Sequence, residues 1–266
     1  MLGNSQASHS SVAMERWSGR VALVTGASSG IGAATASSLV KSGMQVVGLA
    51  RRDDKVKELA ASLKGAPGKL HAVKGDVSKE DDVLRTFAWI KENLGGVDVL
   101  INNAGVINEG NLHDGELGDW RNMLDVNVLG LSLCTREAVK DMRSRGVNDG
   151  HIIHINSVAG HIVSNRPGFL MYSASKHAVT ALAEGIRKEL VRLGTRIRVT
   201  SISPGLVKSE IFERDNMKDS TSDKMYAENY MEAQDIADAV VYVLGTPERV
   251  QIQELIMKAT GTGPQY

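Results

Sequence analysis

The 266-residue chain has one cysteine, five prolines, three phenylalanines and no net charge, with 31 basic residues against 31 acidic ones. The lone Cys134 excludes an intramolecular disulfide and the zinc modules built on cysteine clusters. A chain without disulfides suits a reducing compartment. Balanced charge argues against a protein that works by gripping nucleic acid, which needs a clear excess of Lys and Arg. There is no run of about 20 apolar residues to span a membrane. Residues 1–13, MLGNSQASHSSVA, have neither a basic start nor an apolar stretch, so they are not a secretory signal. They read as a disordered leader or a cloning scar ahead of Met14. The closing TGTGPQY reads as frayed and carries no address signal, and the expected location is the cytoplasm.

What the chain does have is 42% hydrophobic residues and 27 glycines, enough for a sizeable core. Short β-rich apolar runs alternate with longer helical stretches. Strands are expected at Val21–Val24, Gln45–Leu49, Leu70–Lys74, Val97–Ile101, His151–Ile155, Arg196–Ser201 and Ile252–Lys258. Helices are expected at Ala33–Lys41, from an Asp53 or Asp54 cap to about Leu63, after a Ser78 cap, over roughly Leu117–Arg145 as one long stretch, over Tyr172–Arg192 and over Gln234–Leu244. This alternation means right-handed βαβ units and a parallel sheet of about seven strands, buried on both faces. The fold class is α/β, a doubly wound Rossmann fold in a single domain over 14–266.

In such a sheet, ligands sit beyond the carboxyl ends of the strands. The first strand ends in Gly26, Ser28, Ser29, Gly30, Ile31 and Gly32, a G-x-x-x-G-x-G loop opening a helix. Glycines let a pyrophosphate approach the backbone, and the helix start offers free N–H groups. An NAD binder usually carries an acid at the end of the second strand. Here that position is Ala50, followed by Arg51 and Arg52. Two guanidinium groups attract the 2′-phosphate of NADP(H); as a mere solvated pair they would oppose the dipole of the next helix. The expected cofactor is NADP(H), with no metal.

Tyr172 and Lys176 are four apart on a helix, about 40° around its axis, and share a face. An ammonium about 4 Å from a phenol is worth about 4 kcal/mol at an effective dielectric near 20, enough to bring the phenol toward neutral pH. Ser157 follows the fifth strand, at the same sheet edge.

Thr25-Gly26-x-x-x-Gly30-Ile31-Gly32, Asn102-Asn103-Ala104-Gly105, Asn127, Ser157, Tyr172-x-x-x-Lys176 and Pro204-Gly205 occur in that order. Together they resemble the short-chain dehydrogenase/reductase family over about Met14–Lys258. The resemblance implies that Tyr172 exchanges a proton with the substrate oxygen, and that Lys176 lowers the Tyr172 pKa and bonds the nicotinamide ribose. It implies that Ser157 holds the carbonyl and that Asn127 positions Lys176 through water. Asp76 and Val77 would meet the adenine, and Asn103, Ala104 and Gly105 the adenosine side. Pro204, Gly205, Val207 and Ser209 would meet the nicotinamide; Ser209 stands where the family commonly has Thr. The Ser157–Tyr172 interval is slightly long for the family, which leaves the loop Gly160–Met171 open.

Residues 207–235 are the expected substrate-binding loop, with four basic against eight acidic residues, a balance that disfavours an anionic substrate. Phe169, Phe212, Tyr226 and Tyr230, with Met217, Met225 and Met231, suggest an adaptable apolar pocket. His161 could touch substrate or be structural. Met14-Glu-Arg-Trp17, Cys134-Thr-Arg-Glu137 and Asp149-Gly-His-Ile-Ile153 resemble the subgroup of insect farnesol dehydrogenases and vertebrate family member eleven. That implies a prenyl alcohol such as farnesol. The alternatives are a keto-steroid or general carbonyl reductase, or a catalytically silent NADP-sensing scaffold. The helix after Tyr172 carries a stripe Val179, Leu182, Ile186 and Leu190 and a small-residue stripe Ala174, Ala178, Ala181 and Gly185. The family pairs this helix with its symmetry mate, which implies a homodimer or homotetramer.

Overall fold

The computed structural model describes residues 14–212 and 229–262. The leader 1–13, the tail 263–266 and the expected pocket residues Met217, Met225 and Tyr226 lie outside the described residues, as does the side chain of Phe212.

Val21 to Thr25 form β1, whose side chains point alternately to opposite faces. Ala22 and Val24 enter one core, Val21 and Leu23 the other. The chain continues through α1 (Gly30–Lys41), β2 (Gln45–Ala50), α2 (Asp53–Ser62), β3 (Lys69–Lys74), α3 (Glu80–Leu94) and β4 (Val99–Asn102). The second half holds α4 (Leu117–Leu124), α5 (Leu131–Ser144), β5 (His151–Ile155), α6 (Leu170–Arg192), β6 (Arg198–Pro204), α7 (Ala233–Gly245) and β7 (Glu254–Met257). The sheet is seven-stranded in the order β3-β2-β1-β4-β5-β6-β7, and every pairing is parallel. Helices α1, α2 and α7 cover one face through Leu39, Val40, Val56, Ile236 and Val240. The other face is covered by α3, α5 and α6 through Phe87, Ile90, Met142, Ala183 and Leu190. This is the doubly wound architecture expected from the alternating pattern. The order reverses beside β1, where β2 lies on one side and β4 on the other, so a crevice opens at their carboxyl ends.

Several expected boundaries are corrected. Ser78 does not cap α3: its N–H and Oγ both donate to Asp76 Oδ1, at 2.9 and 2.8 Å, in an Asx turn. The cap position is Lys79, and Glu80, Asp81 and Asp82 supply the first-turn charge. Asp53 and Asp54 lie inside the first turn of α2, behind Arg52 at the cap, and Asp53 pairs with Lys57 at 2.6 Å. The fourth strand starts at Val99, because the Asp98 carboxylate turns to the Val21 N–H at 3.0 Å. The sixth spans Arg198–Pro204 and the seventh only Glu254–Met257. The long helical stretch expected over about Leu117–Arg145 is helical throughout to Ser144, with a π-helical segment, Asp125–Gly130, between α4 and α5. Such wide turns are frequent at functional sites, and this one holds Asn127, whose amide bonds both the N–H and the carbonyl of Val106 at 2.9 Å.

Candidate active site

The glycine loop is closed by contacts that tolerate no side chain. Gly26 has φ +69°, and a Cβ on Gly32 would lie 2.3 Å from the Gly26 carbonyl oxygen and 2.4 Å from Asn103 Nδ2. Thr25 Oγ1 accepts the N–H groups of Asn103 and Ala104, both at 3.0 Å. The Asn103 amide donates back to the Thr25 carbonyl at 2.9 Å. Thr25 therefore stitches the ends of β1 and β4 together. The sequence gives Thr25 no such part and places Asn103 at the adenosine side; the Asn103 side-chain amide is engaged by the Thr25 and Gly26 carbonyls.

Above this floor is a cleft of about 460 Å³. Gly26, Ser28, Ser29, Gly30, Ile31, Arg51, Arg52, Asp76, Val77, Asn103, Ala104 and Gly105 line one end. Ser157, Tyr172, Lys176, Pro204, Gly205, Val207 and Ser209 line the other. Of the expected site residues, Gly32 and Asn127 do not line it: Gly32 packs on Gly26, and Asn127 is buried behind. One oxygen of the Asp76 carboxylate, Oδ1, is engaged by the N–H and hydroxyl of Ser78. Ser29, at the cap of α1, makes no side-chain bond to the helix backbone, and the first N–H groups of an α-helix have no intrahelical partners. Free N–H groups, a glycine floor and two arginines fit a phosphorylated dinucleotide.

At the far end Ser157 caps the turn Val158–Gly160, its Oγ accepting the Ala159 N–H at 3.1 Å, and its hydroxyl is near enough to the Tyr172 phenol to lower that group's pKa. Lys176 is buried, and its Nζ donates to the Ile155 carbonyl at 3.0 Å. The ammonium lies 5.8 Å from the Tyr172 ring centroid. Desolvation pushes the Tyr172 phenol up to about 12, against the Ser157 hydroxyl, which lowers it. Burial lowers Lys176 to about 8. The expected phenol near neutrality is thus corrected: the ammonium is turned to a carbonyl, and burial outweighs it. Asn127 makes its third bond to Ser175 Oγ at 3.0 Å, one residue before Lys176.

The apolar end of the cleft is built by Val106, Ile162, Phe169, Leu206 and Ile211, with Ser164 and Arg166 on the loop between Gly160 and Met171. Phe169 stands edge-on to Tyr172 at 6.5 Å. Two expected pocket residues are elsewhere. Met231 is buried in the core under α7, and Tyr230 lies over Lys208 rather than on the cleft wall. His161 is structural, bonding Glu254 at 2.6 Å and Ser203 at 3.1 Å. Cys134 is buried, and its thiol is pushed up to about 12 by desolvation, which leaves it inert at neutral pH. Among the described residues there is no cluster of three metal-ligating side chains and no helix long and apolar enough to cross a membrane.

A sequence profile described as short chain dehydrogenase matches residues 20–220. A farnesol dehydrogenase of Aedes aegypti is 52% identical over 250 residues, covering 93% of this chain and 99% of its own. Dehydrogenase/reductase SDR family member 11 of Gallus gallus is 49% identical over 251 residues, covering 93% and 98%. A serine dehydrogenase solved with NADP+ aligns with TM-score 0.80 and 32% identity over 89% of this chain and 94% of that one. A short-chain dehydrogenase/reductase of Mycobacterium marinum aligns with TM-score 0.84 and 28% identity, over 93% and 97%. With the glycine loop, the Ser157–Tyr172–Lys176 cluster and the sheet order already in view, the chain belongs to the short-chain dehydrogenase/reductase family and is an oxidoreductase that uses a nicotinamide cofactor.

Proposed function

We propose that this chain is an NADP(H)-dependent alcohol dehydrogenase or carbonyl reductase for an apolar substrate, with a prenyl alcohol of the farnesol type as first choice. The observation that carries it is one cleft running from Arg51 and Arg52 to Ser157, Tyr172 and Lys176, with the apolar Ile162, Phe169, Leu206 and Ile211 at the reacting end. The relative named farnesol dehydrogenase, 52% identical, supports the substrate class.

Gly26, Gly30, Ile31 and the start of α1 would hold the pyrophosphate, Arg51 and Arg52 the 2′-phosphate, and Gly205, Val207 and Ser209 the nicotinamide end. The bound cofactor supplies or accepts the hydride. The Tyr172 phenol gives its proton to the substrate oxygen as a carbonyl is reduced and takes it back as an alcohol is oxidised. Ser157 holds that oxygen by a hydrogen bond and steadies the phenol. Lys176 holds a positive charge beneath them, which favours negative charge developing on either oxygen. Asn127 fixes the backbone at Val106 and the hydroxyl of Ser175 beside Lys176, a positioning part. A phenol held well above neutral pH starts protonated, which favours the carbonyl-reducing direction as the second reading.

The test is NADP+ reduction with farnesol against NADPH oxidation with a panel of keto-steroids and aliphatic carbonyls. Tyr172→Phe serves as the control. It is expected to lose about 10² to 10⁴ in kcat while still binding NADPH. Turnover preserved in that variant would sink the reading, and no turnover in either direction despite NADPH binding would favour a silent scaffold.

A further inference from the structure

The cleft carries an ion pair that none of the cofactor motifs contains. Arg52, at the end of β2, donates from Nη2 to Glu210 Oε2 at 2.6 Å and to Ser29 Oγ at 3.2 Å. Glu210 follows β6 and opens the helical turn Glu210–Phe212. In the sheet β2 and β6 are separated by β1, β4 and β5, about 19 Å at the usual strand spacing. The segment after β6 must lean back over the glycine loop to make the bond, and it does: Ser209 Cβ lies 3.2 Å from where a Cβ on Gly30 would stand. Both Arg52 and Glu210 line the cleft.

We propose that Glu210 is a specificity-determining residue for the cofactor: by occupying Arg52 it selectively weakens NADP(H) and so sets how far this chain discriminates between NADP(H) and NAD(H). The inference rests on the reading of Arg52 as a 2′-phosphate ligand. A 2′-phosphate takes a guanidinium best through two parallel bonds, and Glu210 already holds one of the two terminal nitrogens. NAD(H) offers only a neutral 2′-hydroxyl there and has no reason to displace Glu210. Affinity falls by the fraction of time the site is not competent. Both side chains are 43% exposed, and an exposed pair is worth at most ~1 kcal/mol, or about fivefold. Glu210 therefore tunes the preference without reversing it. High salt, which screens an exposed pair, should shrink its effect.

The experiment is a fluorescence titration of the full chain with NADPH and with NADH, in the wild type, Glu210→Gln, Arg52→Gln and the double variant. Glu210→Gln should tighten NADPH by about three- to fivefold, leave NADH unchanged, and have no effect once Arg52 is Gln. If Arg52→Gln weakens NADPH but Glu210→Gln leaves it unchanged or weaker, the proposal is overturned and the NADP(H) reading stands. An equal change for both cofactors overturns it too, since it would mean a general rearrangement. If Arg52→Gln leaves NADPH unaffected, the 2′-phosphate reading itself fails and takes the proposal with it.

Discussion

At the scale of single residues, the site is a balance between burial and charge in which burial wins. Lys176 is held to about 8, so its ammonium turns into an amine as pH rises through that value. Tyr172, pushed up to about 12, keeps its proton well beyond. Below about pH 8 both groups are in the state that carbonyl reduction uses: a phenol that can donate and a cation that favours charge on oxygen. Above it the cation is lost while the acid remains. We therefore expect kcat/KM for carbonyl reduction to decline as pH rises through about 8, measured between about pH 6 and 10. A flat profile to about pH 10 would contradict the assignment of the limb to Lys176.

At the scale of elements, the turn from β1 into α1 decides whether anything can bind. Replacing a helical Gly by Ala ordinarily gains up to about 1 kcal/mol of helix propensity. At Gly32 the added methyl would meet the Gly26 carbonyl at 2.3 Å and the Asn103 amide at 2.4 Å, and overpacking costs about 1–3 kcal/mol. Gly32→Ala should thus be net destabilising by roughly 1–2 kcal/mol, seen as a lower urea midpoint, and should weaken NADPH binding because the loop shifts. Gly118→Ala in α4 meets nothing within 4 Å and should be neutral or stabilising. Equal effects at the two positions would count against this account of the loop. The π-helical stretch Asp125–Gly130 belongs to the same scale. Asp125, Val126, Asn127, Val128 and Gly130 are weak helix formers, but weak propensity does not tell a wide turn from an ordinary one; only Asn127, wedged against Val106, betrays it.

At the scale of the whole molecule, two histidines on β5 are sealed in the sheet. His154 is fully buried, and desolvation, with the charge of Lys176 second, lowers it to about 4. His151 is likewise lowered well below the ordinary imidazole value, by burial first and then by Arg198 and Arg16. A folded pKa below the unfolded value of about 6.5 means that stability is fully present above about pH 6.5 and is lost as pH falls toward 4. For His154 alone the loss is about 3 kcal/mol. The urea midpoint should fall over that window, and His154→Gln should flatten the fall in part, leaving the share of His151; an acid limb unchanged in His154→Gln would refute the link. The small-residue stripe of α6 points outward, with Ala174 and Ala181 exposed and no atom within 4 Å of a Cβ on Gly185, a surface on which a second copy can approach closely. We expect a homodimer or homotetramer by light scattering, reduced in size by Ala181→Arg; a monomeric wild type would refute this. The sequence by itself determined the doubly wound sheet, the glycine loop and the shared helix face of Tyr172 and Lys176, because each is written in local period or spacing and local steric rules act within a few residues; Ser157 joined that pair through the family resemblance. It also marked Arg51 and Arg52 as charge at a strand end. Only the tertiary structure decided that Thr25 stitches β1 to β4, that Met231 belongs to the core rather than the pocket, and that Lys176 faces the Ile155 carbonyl. It alone brought Glu210 onto Arg52, 158 residues away. Such contacts depend on which strands the chain lays side by side and how deeply water is excluded between them, and neither quantity is carried by any short stretch of sequence.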